Sequence, residues 1–465
     1  MGEDATTISL FDGGRGANAE PAPERVGLLI AWSTSEPSRI GEVALLEPGS
    51  SVTLGRGEGT GARATFVRQR PGMNELGAPL GGLGLSRDQL RIVASGDVLE
   101  IERLGKRPVE LRGVEIDRAT LRTGDALLVR GQLALLCVKR PAVLSGRRTF
   151  PLSAFGAFGA PDMLGMIGES PIAWRLREDV AFAAEAGAHV LLLGESGTGK
   201  ELAAQAIHRL STRRDHPFVA RNAATLPAGL IDAELFGHAR NYPNPGMGER
   251  AGLIGDAHGG VLFLDEIAEL PLDLQSHLLR VVDARGEYQR LGDSTSRRSD
   301  FVLVGATNRD PSILKQDLVA RFALRVEVPS LRARAADIPL FVRHLLARAA
   351  EKSPKLVERF VADGVHVRVD PRFVVDLLGR AYPTNVRELD GILWRAIAAS
   401  EGDAITSAPD APAERAEPHG EPTADAIRAA LAAQDGSVTR AAAALGLPSR
   451  FALYRLMKRL GLGET

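Results

Sequence analysis

Three folds in succession are predicted along this chain: an all-β sandwich over 25–140, an α/β unit beginning just after residue 163, and a small all-α helix-turn-helix over 423–465. The sandwich rests on short apolar runs separated by glycine and proline between Val26 and Arg140. The α/β unit rests on apolar strand-like runs alternating with helical periods, the first ending in a glycine-rich turn and a lysine. The third fold rests on helical stretches broken at Gly436 and Gly446.

A length of 465 residues fits about three domains at roughly 150 residues each. With 44% hydrophobic and 25% charged residues the composition is that of a globular protein able to build real cores. The formal net charge is −1, so no global field draws the molecule to nucleic acid, and any such affinity must be local. The single cysteine, Cys137, excludes an internal disulfide framework and reads as a buried small hydrophobe, and the nine histidines show no zinc-ligand spacing. Residues 1–24 are polar and acidic, without the basic start and apolar core of a signal peptide, and no apolar run reaches the roughly 18–20 residues of a membrane span. A cytoplasmic protein without a membrane partner is the expectation.

In the sandwich the strand candidates are Val26–Trp32, Val43–Leu46, Ser51–Leu54, Leu90–Val93, Val98–Ile101, Ala126–Val129 and Leu133–Val138. Gly55-Arg56 follows one strand, Leu85-Ser86-Arg87 precedes another, and Leu121-Arg122-Thr123-Gly124-Asp125 precedes the last pair. In that order these stretches resemble a forkhead-associated (FHA) domain, a sandwich whose loops bind phosphothreonine peptides. The resemblance implies that Arg56 and Ser86 hold the phosphate, a guanidinium giving a bidentate contact and a hydroxyl one more hydrogen bond. Two positions depart from it: Gln89 stands where the family has His, and Arg107 where it has Asn. Residues 141–163, rich in Gly, Pro, Ser and Phe and without a period, read as a linker.

The stretch Leu191–Glu201 organises the α/β unit. An apolar run reaches Leu193, breaks into Gly194-Glu195-Ser196-Gly197-Thr198-Gly199, and resumes as helix after Lys200. Successive N–H groups and the positive end of the helix then face a polyphosphate, and Lys200 adds a point charge. The pattern G-x-x-x-x-G-K is complete, but Glu201 occupies the place where the usual loop carries a Ser or Thr for magnesium. Asp265-Glu266 ends the apolar run Val261–Leu264; a carboxylate there can hold magnesium, and its neighbour can orient and deprotonate an attacking water.

Gly194–Glu201, Glu234-Leu235-Phe236-Gly237-His238, Gly259–Ile267, Gln275–Arg280, Ala306-Thr307-Asn308-Arg309 and Asn385-Val386-Arg387-Glu388-Leu389 resemble the AAA+ domain of sigma-54-dependent transcriptional activators over about residues 164–400. Glu201 is itself the residue that family carries after the lysine. The resemblance implies an ATPase core over 164–330 and a helical lid over 331–400, using ATP and Mg²⁺. It makes Asp265 the magnesium carboxylate, Glu266 the catalytic one, and Asn222 the residue restraining that glutamate. Thr307 and Asn308 would sense the γ-phosphate, and Arg387 would be the second sensor. Arg321 would reach a neighbour's nucleotide in a homo-oligomeric ring, while the family's other arginine in that segment is Lys315, which keeps the charge and loses the fork.

Residues 403–422 form a proline-containing acidic linker. The segment 423–465 has helical stretches at Ala424–Ala433, Val438–Leu445 and Pro448–Leu460, and carries a net charge of +3. It resembles the DNA-binding domain of the same activators. Leu453, Leu456, Met457 and Leu460 form a core stripe, with Arg450 and Arg455 off that stripe and Lys458 adding to the basic charge expected to meet double-stranded DNA.

The chain is thus read as a regulator with an interaction sandwich, a ring-forming ATPase and a DNA-binding tail, whose partner by resemblance is sigma-54 RNA polymerase. A nucleotide-gated DNA-binding regulator and an AAA+ remodeller of another protein are the competing readings. The family's loop Gly-Ala-Phe-Thr-Gly-Ala is replaced by Asn241-Tyr242-Pro243-Asn244-Pro245-Gly246, in which two prolines fix their own φ and restrict the residues before them. Such a loop predicts that hydrolysis survives while ordinary activation of sigma-54 polymerase is weak or absent.

Overall fold

The computed structural model describes residues 8–9, 22–58, 61–227, 229–283, 286–362 and 366–406, and within the C-terminal part 424–434, 438, 441–442, 445, 453–454 and 456–457. Arg450, Arg455 and Lys458 lie outside the described residues.

Two antiparallel sheets form the N-terminal sandwich. One orders the strands Val114–Ile116, Val109–Leu111, Ala126–Val129, Leu133–Pro141, Glu24–Ser33, Val43–Leu45, Val67–Arg70 and Met73–Leu76; the other orders Arg118–Arg122, Val98–Arg103, Leu90–Ser95 and Ser51–Leu54. Leu28, Ile30, Leu135 and Cys137 meet Ile92, Leu99 and Leu121 between the sheets. Burial pushes the Cys137 thiol up to about 12, so it stays a neutral, inert filler at ordinary pH. The short polar strands Val67–Arg70, Met73–Leu76 and Arg118–Arg122 escape the apolar-run criterion because they carry too few consecutive apolar residues.

The two longest strands, Glu24–Ser33 and Leu133–Pro141, are apolar on both faces because both faces are covered. Their outer side chains Leu29, Ala31, Leu136 and Val138 share one core with Ile338, Phe341, Leu345, Phe373 and Leu377 of the helical unit. Arg372 seals that junction, donating to both carboxylate oxygens of Glu110 at 2.8 Å.

The α/β unit is a parallel sheet in the order Leu324–Glu327, Val190–Leu193, Val302–Thr307, Val261–Asp265, Phe218–Asn222, with Ile8–Ser9 pairing at the outer edge of Leu324–Glu327. Helices Pro171–Ala186 and Lys200–Leu210 cover one face and Leu272–Asp283 the other. Because Val190–Leu193 is internal and all these strands run the same way, the turns after it, after Asp265 and after Thr307 open on one rim. Strand Leu324–Glu327 alternates with charge and carries no apolar run, which hid it in the sequence.

Residues 141–163 connect the two units as a packed strap. Phe150 is 1% exposed, Leu144 and Ala154 join the α/β core, and Phe155 lies 4.8 Å from the Trp174 ring, centroid to centroid. The glycines and prolines that obscure any period allow the turns that deliver these rings. The helical unit consists mainly of Ile338–Lys352, Pro371–Leu378 and Val386–Ala399. Among the described C-terminal residues, helix Ala424–Ala433 supplies Ile427 to a small separate core with Ala441, Ala442, Leu453 and Leu456. No helix among the described residues is long and apolar enough to cross a membrane.

Candidate functional site: a phosphate-loop cleft closed by the helical unit

The loop 194–199 leaves strand Val190–Leu193 and ends at Gly199, directly before helix Lys200–Leu210. Gly197, at φ +74°, is pressed so close to the helical unit that a Cβ there would stand 2.1 Å from the Thr384 carbonyl oxygen. Thr198 Oγ1 donates to the Glu195 carbonyl at 2.9 Å, tightening the turn. Lys200 is 6% exposed, and its ammonium donates to the carbonyls of Gly194 at 3.0 Å and Glu195 at 3.1 Å. Burial lowers its pKa, against the pull of Glu266 and Asp265. Glu201 opens the helix, exposed, and accepts from Gln205 Nε2 at 3.3 Å.

Asp265 ends its strand in register with Asn222 of the neighbouring strand, and its Oδ1 accepts from the Glu266 backbone N–H at 3.0 Å. Glu266 sits at φ 50°, ψ 45°, a left-handed conformation rare for a residue with a side chain. Its Oε2 accepts from the Asn308 backbone N–H at 3.4 Å. Burial raises the Glu266 carboxyl above the ordinary glutamate range, with Lys200 and the Asn308 N–H opposing that rise.

These parts share one cleft of about 600 Å³, lined by Ser196–Ala203, Asn222, Asp265, Glu266 and Arg387 together with apolar Ile167, Phe341 and Leu345. The expected residues 196–201, Asp265, Glu266 and Arg387 therefore converge, with Gly194 and Glu195 in the same turn. Asn222, Thr307, Asn308 and Arg321 make other contacts. Asn222 reaches the cleft, but its Oδ1 caps the following turn, accepting from Ala224 N at 2.9 Å, and no hydrogen bond to Glu266 is formed. Thr307 is 0% exposed and its hydroxyl accepts from Arg309 N at 3.0 Å, bracing the turn that follows the strand. Asn308 touches Glu266 through its backbone alone among the described contacts. Arg321 lies outside the cleft, exposed and paired with Asp283. Lys315 donates to Ser276 Oγ.

Two residues not singled out from the sequence hold the cleft together. Asn385, 1% exposed at φ 53°, donates through Nδ2 to Glu195 Oε2 at 3.1 Å and to the Ser196 carbonyl at 3.0 Å, while its Oδ1 accepts from Leu331 N at 2.7 Å. Arg334, buried over the Phe341 ring, donates to the Thr198 carbonyl at 3.2 Å; burial pushes its pKa down to about 10, so it remains charged near neutrality. Both tie the helical unit to the phosphate loop. Asn385 was visible as the residue before Val386-Arg387, but its role depends on a contact across 190 positions.

At the tip of the sandwich, Arg56 and Ser86 are adjacent, the Arg56 N–H donating to the Ser86 carbonyl at 2.9 Å. Ser86 Oγ accepts from Lys106 N at 3.2 Å. Buried Gln89 braces both loops, accepting from Ser86 N at 3.3 Å and donating to the Arg107 carbonyl at 3.0 Å, while Arg107 Nε donates to the Gly84 carbonyl at 2.9 Å.

The loop after His238 is stitched to the chain near 291. Ala239 N donates to the Leu291 carbonyl at 2.9 Å, Asn241 Oδ1 accepts from Gly246 N at 2.9 Å, and the Tyr242 ring lies over Gly292.

Residues 166–330 match the Sigma-54 interaction domain family, and 332–425 match the AAA+ ATPase lid domain. The chain is 36% identical over 312 residues to the Transcriptional regulatory protein ZraR of Escherichia coli (strain K12), covering 63% of this chain and 68% of that protein. It is 36% identical over 272 residues to the DNA-binding transcriptional regulator NtrC of Rhizobium meliloti (strain 1021), covering 55% and 54% of the two. Among solved structures, NtrX from Brucella abortus in complex with ADP aligns at 28% identity and a TM-score of 0.48, over 64% of this chain and 69% of that one. The cleft thus lies between the matched Sigma-54 interaction domain and the matched lid, and the chain belongs to the family of sigma-54-dependent transcriptional regulators that includes ZraR and NtrC, with a nucleotide-binding AAA+ ATPase at its centre.

Proposed function

We propose that this chain is an ATP-dependent transcriptional regulator that assembles as a ring, binds double-stranded DNA through residues 423–465, and uses hydrolysis to remodel the transcription machinery. The observation that carries the reading is the meeting, in one cleft, of Lys200 and the loop N–H groups with Asp265, Glu266 and Arg387. A polyphosphate fits the donor set: the helix N-terminus, Lys200 and Arg387 are cationic or N–H donors, and Asp265 and Glu266 are the acidic groups at the same rim. Asp265 would hold Mg²⁺, which when bound neutralises charge on the phosphate oxygens.

In this reading Lys200 and the loop N–H groups orient the triphosphate of ATP. Glu266 accepts a proton from the water that attacks the γ-phosphorus, and the bond to the β-phosphate oxygen breaks to leave ADP and phosphate. The raised pKa of Glu266 moves it toward the range in which a base works near neutrality. Asn308, whose backbone already contacts Glu266, can report the γ-phosphate to that carboxylate, and Arg387 carries the signal to the lid. Asn222 restrains Glu266 only after releasing its cap on Ala224.

The loop 241–246 is held by its own hydrogen bonds and by the chain near Gly292, with Tyr242 in place of the family's Phe one position on. Its shape favours weak activation of sigma-54 polymerase, and a ring acting on another part of the machinery or as a repressor. In vitro transcription from a sigma-54 promoter carrying the protein's own site decides this. ATP-dependent open complexes are expected to be scarce. Robust open-complex formation lost on deleting 241–246 would show that this loop engages sigma-54 with different residues. In the same assay, removing 423–465 is expected to abolish site-specific binding and spare ATP hydrolysis; retained binding would move DNA recognition elsewhere.

For the sandwich, the adjacency of Arg56 and Ser86, joined by a backbone hydrogen bond at one tip, supports recognition of a phosphothreonine protein. A phosphothreonine peptide is expected to bind more tightly than its unphosphorylated form, by about tenfold or more, with the difference erased by Arg56→Ala. Equal affinities measured by fluorescence anisotropy across a peptide library would leave a phosphate-independent interaction module.

A further inference from the structure

We infer that Arg70, on the β-sandwich, is a positioning residue for the nucleotide: through Glu169 it holds the strap 165–170 that walls the cleft, making the sandwich a working part of the ATPase. The inference rests on the assignment of the cleft to ATP.

Gly165, Met166 and Ile167 line the cleft, and the next residues are pinned from three sides. From the α/β core, Arg177 donates to the Gly168 carbonyl at 2.8 Å and the Met166 carbonyl at 3.0 Å, with its own charge met by Asp162 at 2.8 Å. From the lid, Asp337 accepts from Glu169 N and Ser170 N at 2.9 Å and from Ser170 Oγ at 2.5 Å. Gly168, at φ +124°, approaches so closely that a Cβ would stand 2.6 Å from Asp337 Oδ2. From the sandwich, Arg70 grips the Glu169 carboxylate with both arms, Nη2 at 2.7 Å and Nε at 3.3 Å.

Cations of both the sandwich and the helical unit balance this region, Arg334 facing Asp337 and Arg343 facing Glu169 from the helical side. Glu169 and Asp337 are 4% and 1% exposed, and the cations brought to them by the sandwich are Arg70 and the 3% exposed Arg140. The Arg70 guanidinium also lies 5.4 to 5.8 Å from the ring centres of Phe155, Phe158 and Trp174, so the strap 141–163 and the first core helix fix its place. Glu169 spends its remaining acceptor sites on Gly159 N at 2.8 Å and Trp174 Nε1 at 3.1 Å. Removing the arginine takes the bidentate partner from a buried carboxylate whose own residue makes the lid contact and which stands two residues from a cleft-lining side chain, and such a group must ionise at a penalty, protonate or move.

The test uses the full chain and measures the Kd of a fluorescent ATP analogue with Mg²⁺, alongside KM and kcat for hydrolysis, at a temperature well below unfolding. Arg70→Ala is expected to raise Kd and KM by about tenfold with kcat within about twofold. Arg70→Lys, which keeps the charge and loses the fork, is expected to fall between the two proteins. On a Glu169→Gln background Arg70→Ala adds little further, because the two act as one unit. Should Arg70→Ala fail to fold, Arg70→Lys decides. Folded variants with Kd within about twofold of the parent, while Lys200→Ala removes binding, overturn the role of Arg70 and leave the cleft intact. Normal binding by Lys200→Ala overturns the nucleotide assignment of the cleft, and this inference with it.

Discussion

Glu266→Gln is expected to bind ATP about as well as the parent protein and to hydrolyse it more slowly by about 10²–10⁴-fold, the range ascribed to a positioned general base. Glutamine keeps the volume and an acceptor for the Asn308 N–H but cannot take a proton from water. Nucleotide binding therefore separates from turnover, whereas Lys200→Ala, which removes the buried ammonium, loses binding itself. The same carboxylate sets the acid limb of the rate profile. Because its pKa is raised, the base is lost as pH falls at a higher pH than for an ordinary glutamate, and hydrolysis should decline accordingly. Single-turnover measurements across pH check both points. Near-normal turnover by purified Glu266→Gln would remove the proposed role.

Arg321→Ala is expected to lower hydrolysis by about 10³-fold or more, at the lower end of the range measured for arginine fingers. Within its own subunit Arg321 is exposed, away from the cleft, and paired with Asp283, so it has no access to the nucleotide that its own chain binds. Its contribution requires a neighbouring subunit, and specific activity should rise with protein concentration. Mixing Arg321→Ala with Lys200→Ala subunits sharpens the test: one supplies intact cleft residues, the other an intact arginine. The mixture should recover activity that neither has alone. A flat concentration profile with no recovery on mixing would count against action across the subunit boundary.

What the sequence determined by itself are features whose cause is contiguous in the chain. The turn 194–200 needs glycines, a lysine and the flanking strand and helix, all within about a dozen residues. The Asp265-Glu266 pair needs only an apolar strand to carry it to the rim of a parallel sheet. The sandwich strands with both faces buried announced themselves as apolar runs, while strand Leu324–Glu327 did not, because alternating Arg325 and Glu327 leave no run to read.

Tertiary structure decided which of the polar residues face the cleft. Thr307 and Asn308 are adjacent in sequence, yet only the first is fully buried, because strand Val302–Thr307 ends between them. Asn222 has an amide that suits either a cap or a catalytic restraint, and the local turn competes for it first. The phenylalanines of 141–163 carry no period, and only the pocket formed by Trp174 and Arg70 shows what they bury. Asn385 and Arg70 act over 190 and 99 positions of chain, and such pairings depend on how units distant in sequence pack, for which a single sequence has no periodicity to reveal.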